Sequence, residues 1–174
     1  MKKTALLLLC LFNTLQATEP SNNGLGNYSI TQHTFMKHGE KMPTDDFIVN
    51  KETNQSTKID GKVKGMEFIT FDEKEMLKVN FFAGAHTHVV SFYVMDKKGD
   101  LTLVEGGNIG SDIGDPAMYL DSLNNVLVVF SRYRKDIFTK DKLCFQFKED
   151  VYEYKNHKFE KILENNLAPE ECEE

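Results

Sequence analysis

Apolar positions in this chain recur at every second residue in short runs, and nowhere over a useful length at the three- to four-residue spacing of an amphipathic helix. In residues 28–35, Tyr28 and Ile30 alternate with Ser29 and Thr31; in 65–71, Met66 and Phe68 alternate with Glu67 and Ile69. Residues 87–95, Thr-His-Val-Val-Ser-Phe-Tyr-Val-Met, are dense in β-branched and aromatic side chains and break at Asp96-Lys97-Lys98-Gly99-Asp100 before the run 101–104, the pattern of a hairpin. Asp60-Gly61 between Lys58-Ile59 and Lys62-Val63 carries the dipeptide signal of a second hairpin. Further runs at 46–50, 76–82, 118–120, 126–130, 143–154 and 159–163 bring the count to about ten strands.

The predicted fold is therefore all-β, a mainly antiparallel meander closed as a barrel or sandwich or arranged as propeller-like sheets, with no substantial helix after the leader. One short helical turn is expected over 117–119, because Asp115 can accept free amides and Pro116 lacks one. Residues 106–115, with four glycines, read as a long exposed loop.

The first residues follow another pattern. Lys2 and Lys3 precede an apolar run over 5–12 and a polar stretch ending at Ala17, which is the form of a secretory signal peptide over 1–17. The run is too short to span a hydrocarbon core, which needs about twenty residues, so no transmembrane segment is expected. The destination is periplasmic or extracellular. Residues 18–27 then form a flexible linker, 28–163 a single β domain, and 164–174 an acidic tail.

The leader changes both the charge and the cysteine chemistry. The 174 residues hold 21 basic and 27 acidic side chains, a net charge of −6; cleavage after Ala17 removes Lys2, Lys3 and no acid, leaving 157 residues at −8. Such a chain lacks the basic surface that nucleic acid needs, and a basic protein suits it better as a partner. Cys10 leaves with the leader, so Cys144 and Cys172 are expected to form one disulfide that tethers the acidic tail.

Few residues offer chemistry. The motifs Gly-x-Ser-x-Gly and His-Glu-x-x-His and the phosphate-binding P-loop do not occur, and the chain is read as non-enzymatic. His86 and His88, one residue apart, point to one face of a strand and could ligate zinc or another transition metal, though two polar residues at a sheet end are the better reading. The loop 106–115 could wrap calcium, but an exposed turn is again the better reading, and no cofactor is expected. Loops on a rigid β scaffold gather partner contacts, which makes Asn108, Ser111, Asp112 and Asp115 the candidate partner-binding residues.

From Gly106 onward, the glycine-rich stretch, the Asp-Pro turn, Lys-Leu-Cys-Phe-Gln-Phe over 142–147 and the closing Tyr152-x-Tyr154-x-Asn156-x-x-Phe159 hairpin resemble small bacterial periplasmic β-proteins of the lysozyme-inhibitor-like and toxin-immunity kinds, with propeller-like or FG-GAP-like sheets. The resemblance implies an inhibitor or immunity protein that blocks a basic, cell-wall-directed toxin or lysozyme-like hydrolase. The alternative expectation is a periplasmic carrier of a small ligand or metal.

Overall fold

The computed structural model describes residues 24–37, 40–84, 86–138, 142–167 and 171–172. The predicted leader over 1–17 and most of the predicted linker lie outside the described residues. The strands are β1 (Gly24–Leu25), β2 (Tyr28–Lys37), β3 (Glu40–Asn50), β4 (Ser56–Lys58), β5 (Lys62–Phe71), β6 (Lys74–Ala83), β7 (Thr87–Met95), β8 (Leu101–Ser111), β9 (Ala117–Asp121), β10 (Val126–Phe138), β11 (Leu143–Lys155), β12 (Lys158–Asn166) and β13 (Glu171–Cys172). The all-β expectation holds, in the form of a nearly closed, barrel-like sheet with a small sheet beside it.

The small sheet runs β1-β2-β3-β4, and the large one β5-β6-β7-β8-β12-β11-β10-β9, with β13 added to β11. Tight turns enforce this order. Asp72 and Glu73, with φ of 50° and 58°, reverse the chain between Phe71 and Lys74, and Asn156 and His157, with φ of 52° and 66°, do the same between Lys155 and Lys158. Positive φ at both turn residues matches the right-handed twist of the strands they join.

Period-two alternation puts two cores on the two faces of β6 and β7. Met76, Val90 and Phe92 face the interior of the large sheet, where they meet Ile69, Phe71, Val104, Ile109, Leu127, Val129, Tyr154 and Phe159. Leu77, Val79, Phe81, Val89 and Tyr93 face the small sheet and pack on Tyr28, Ile48 and Ile59. The small sheet is also clamped by the turn after β7: the Tyr28 hydroxyl donates to Gly99 O at 2.5 Å and Asn50 Nδ2 donates to Lys98 O at 3.0 Å.

The large sheet consists of two antiparallel halves whose ladders meet where β8 pairs with β12. β8 pairs with β7 as His88↔Ser111 to Ser91↔Asn108 and again as Tyr93↔Leu103 to Met95↔Leu101, so the stretch from Val104 to Gly107 bulges opposite Phe92. At that bulge Glu105 bridges Lys158 of β12, the one parallel contact between strands of the sheet. Gly106 has φ +68°, and a Cβ there would lie 2.2 Å from Phe159 O. Glycine is thus required both by the backbone conformation and by the approach of β12.

Several local expectations are corrected. Residues 106–111 are strand, because the same glycines that suggested a loop let β8 bulge and then resume its pairing with β7. The expected helical turn at 117–119 is the start of β9, whose pairing with β10 through Ala117↔Phe130 fixes it as extended. Asp60-Gly61 is not a hairpin: β4 pairs only with β3 and β5 with β6, so this dipeptide carries the chain from one sheet to the other. It is held there by Ile59 N–H to Asp46 O at 2.9 Å and Asp46 N–H to Gly61 O at 3.0 Å. The run 126–130 continues to Phe138, and β12 continues to Asn166, through the first residues assigned to the acidic tail.

Cys144 and Cys172 stand directly opposite each other on β11 and β13 and form the expected disulfide. With a sequence separation of 28, this cross-link contributes about 3.6 kcal/mol in the chain-entropy model.

Two outcomes follow for stability. Gly106→Ala is expected to destabilise by at least about 2 kcal/mol through the combined backbone and steric conflict, read from the urea midpoint at constant slope. Cys172→Ser is expected to lower stability by about 3.6 kcal/mol in the same assay, and the loss should match that caused by reducing the wild-type protein.

Candidate functional site

One end of the large sheet holds a compact polar cluster built by a β-bulge. β5 pairs with β6 as Val63↔Phe81 and then Gly65↔Asn80, which leaves Lys64 as the extra residue. A bulge re-aims its side chain, and here it sends Lys64 across the opening between the edge strands β5 and β9 to Asp115. Lys64 Nζ reaches Asp115 Oδ1 at 2.6 Å and Oδ2 at 2.8 Å. His88, the second residue of β7, places Nδ1 at 2.5 Å from Asp115 Oδ1 and 3.5 Å from Lys64 Nζ. The Phe82 ring lies beneath both, its centroid 4.7 Å from the imidazole and 4.6 Å from the ammonium.

Burial alone would raise the Asp115 pKa, but hydrogen bonds from Lys64 and His88 and the Lys64 charge outweigh it and hold the carboxyl below its usual range. The Asp115 side chain is 55% exposed, so the pair contributes at most about 1 kcal/mol. Its role is geometric: it ties β5 to the segment entering β9. Asn125 Nδ2 donates to Asp72 Oδ1 at 3.4 Å, which adds a second link between the turns after β5 and β9.

The predicted site residues fall around this end but do different work. Asp115 and His88, singled out for separate reasons, meet directly. Asp112 is exposed and accepts from Thr87 Oγ1 at 2.9 Å. Ser111 is 2% exposed, and its hydroxyl donates to Arg132 O at 2.9 Å and accepts from Arg132 N at 3.1 Å, so it pins β8 to β10. Asn108 accepts from Ser91 Oγ at 2.8 Å. His86 is exposed in the turn before β7. Among the described residues no group of three or more His, Cys, Asp or Glu side chains is placed to hold a metal ion, and His88 already shares its Nδ1 with Asp115. Lys64 was not singled out in the sequence; its only signal was the Lys-Gly pair after an Asp-Gly turn, and bulges are not visible in periodicity.

A second concavity, of about 450 Å3, lies where the small sheet meets the turn after β7. Tyr28, Phe68 and Met95 line it together with Glu52, Glu75 and Asp96, while Lys97 and Lys98 stand on the same turn. Burial, and then the charges of Asp100, Asp96, Glu75 and Glu52, push the Tyr28 phenol up from its ordinary value. Lys97 and Lys98 line the hollow too, so its three carboxylates are partly offset beside the rings of Tyr28 and Phe68.

Toward the end of the large sheet that holds Asp115, beyond the point where Ser111 meets Arg132, six polar side chains of β10, β11 and β12 form a second cluster. Lys148 bonds Glu164; Lys161 bonds Asp150 at 2.7 Å and Glu164 at 2.9 Å. Tyr133 donates to Glu164 Oε2 at 3.2 Å, and Tyr152 to Asp150 Oδ2 at 3.4 Å. Burial, then the two carboxylates, push Tyr133 up to about 12, and hydrogen bonds from Lys148 and Lys161 hold Glu164 down at about 2.

No protein-family model, curated protein or solved structure matches this chain.

The Glu164 carboxyl sets a pH test. Its folded pKa is lowered from 4.5 to about 2, so its stabilising contribution is complete above the unfolded value and is lost as pH falls through the folded one. The thermal midpoint of Glu164→Gln should lie below that of wild type at pH 7 by an amount that stays constant down to about pH 5. The gap should then close between pH 4.5 and pH 2.

Proposed function

We propose that this protein is an exported, non-enzymatic binding protein, an inhibitor or immunity protein that blocks a basic, cell-wall-directed toxin or hydrolase through contacts on its outer surface. The observation that carries this reading is the filled interior. Met76, Phe92, Leu127 and Val129 are each 0% exposed at the centre of the large sheet, and two ion-paired clusters, around Asp115 and around Asp150 and Glu164, stand toward one end of it. Such an interior supports binding at the surface over carriage of a small ligand inside. The net charge of −6, with Glu52, Glu75 and Asp96 among the residues around the hollow beside Tyr28, fits a partner that presents lysine or arginine, since complementary potentials speed encounter and suppress wrong partners. The exposed carboxylate of Asp112 adds to the same surface charge.

Immobilised protein offered a periplasmic or culture extract is expected to retain one basic hydrolase in stoichiometric amount and to inhibit its activity on cell walls. Combined Glu75→Lys and Asp96→Lys substitution should slow association by on the order of tenfold at low salt, with a smaller effect at high salt. Retention of no stoichiometric partner, or retention with full muralytic activity, would overturn the reading.

A further inference from the structure

β9 covers the outer edge of β10 only from Val126 to Phe130, whereas β10 itself runs on to Phe138. Beyond β9, the segment from Ser111 to Ile113 crosses that edge at one point: Arg132 O accepts from Asp112 N at 2.9 Å and Ile113 N at 3.2 Å, and Arg132 N donates to Ser111 Oγ at 3.1 Å. Among the described residues no strand lies beside the edge from Tyr133 to Phe138.

The Arg132 contacts also fix the direction of the free groups. Backbone N–H and C=O alternate from one edge of a strand to the other, so Arg134, Asp136 and Phe138 aim theirs outward, as Arg132 does, and the ladder to β11 shows no register shift over this stretch. Phe138 is 81% exposed, and Ile113, beside Arg132 at the start of the open stretch, is 38% exposed.

We propose that this edge pairs with the same edge of a second copy of the chain, antiparallel about a two-fold axis at Lys135. In that register Arg134 lies opposite the partner's Asp136 and Asp136 opposite the partner's Arg134. Both are hydrogen-bonded pairs, because both residues aim their backbone groups outward. Within one chain Arg134 Nε and Asp136 Oδ1 are already 2.9 Å apart, so the dimer brings two ion pairs into one four-charge group. Shifting the register by two residues either way sets Arg134 against the partner's Arg134 or Asp136 against the partner's Asp136, and like charges directly opposite are unfavourable. The axis at Lys135 also carries Phe138 to the partner's Ile113 and Arg132, covering both exposed apolar side chains. Lys135 faces its copy on the other face of the ladder, where it is exposed and its ammonium can turn to solvent. An unprotected edge strand is a hazard that proteins cover or charge; here the charges are arranged so that the edge fits itself.

The test is sedimentation equilibrium of the untagged protein expressed from the full sequence. Wild type is expected to show a reversible monomer–dimer equilibrium. Asp136→Arg should weaken it by at least about tenfold, and the double exchange of Arg134→Asp with Asp136→Arg should restore it. Far-UV circular dichroism confirms that each variant folds. Lys135→Cys provides an independent measurement: the two copies of this residue form a non-hydrogen-bonded pair with close Cα atoms, so mild oxidation should cross-link them, while Arg134→Cys should cross-link poorly. A wild type that stays monomeric at every concentration, a dimer insensitive to Asp136→Arg, or equal cross-linking at positions 134 and 135 would each overturn the proposal.

Discussion

Everything in the large sheet depends on the contact between the β8 bulge and the start of β12. Two antiparallel blocks, β5 to β8 and β9 to β12, share one parallel bridge, Glu105↔Lys158. One bridge is a poor hinge unless something holds it from beneath. Phe92 and Phe159 do so, with ring centroids 4.6 Å apart, and Tyr154 packs on Phe159 at 5.1 Å. The bulge frees the space for Phe92, and the absence of a Cβ at Gly106 lets the Phe159 backbone approach. Backbone conformation and aromatic packing thus enforce the same closure, and removing either leaves the other without support.

Closure of the large sheet in turn makes the small one possible. Once β6 and β7 are committed on their inner face, their outer face still carries Leu77, Val79, Phe81, Val89 and Tyr93, an apolar surface too large to leave in water. β1 to β4 cover it. The polar clamps from Tyr28 and Asn50 to the turn after β7 then fix the angle of that cover. The hollow arises at this junction, where the small sheet meets the turn after β7.

What the sequence revealed and concealed follows from the same physics. β7 was legible to the residue, since Thr87–Met95 is β-branched and aromatic throughout and bounded by polar turns. The disulfide was legible because only Cys144 and Cys172 remain after the expected leader. Residues 106–111 were misread because glycine marks both loops and bulges, and only the facing strand distinguishes them. Asp60-Gly61 was misread because hairpin chemistry is local, whereas the pairing of β4 with β3 and of β5 with β6 is decided by burial of Ile59 and Phe81 far along the chain. At the site, His88 and Asp115 stood out by residue type, yet their meeting, and the part of Lys64 in it, depends on a bulge that shifts one residue out of alternation.

The placement of charge inside this protein constrains where it can act. A barrel that carries cargo needs an interior kept open, but here the apolar centre is filled, and toward one end stand two groups of charges already satisfied by one another: Lys64, His88 and Asp115, and Lys148, Lys161, Asp150 and Glu164. The interior is therefore committed to stability, and recognition is left to the surface and the strand edges. A packed apolar centre frees the exposed turns and the β10 edge to carry charge and apolar side chains that folding itself does not need.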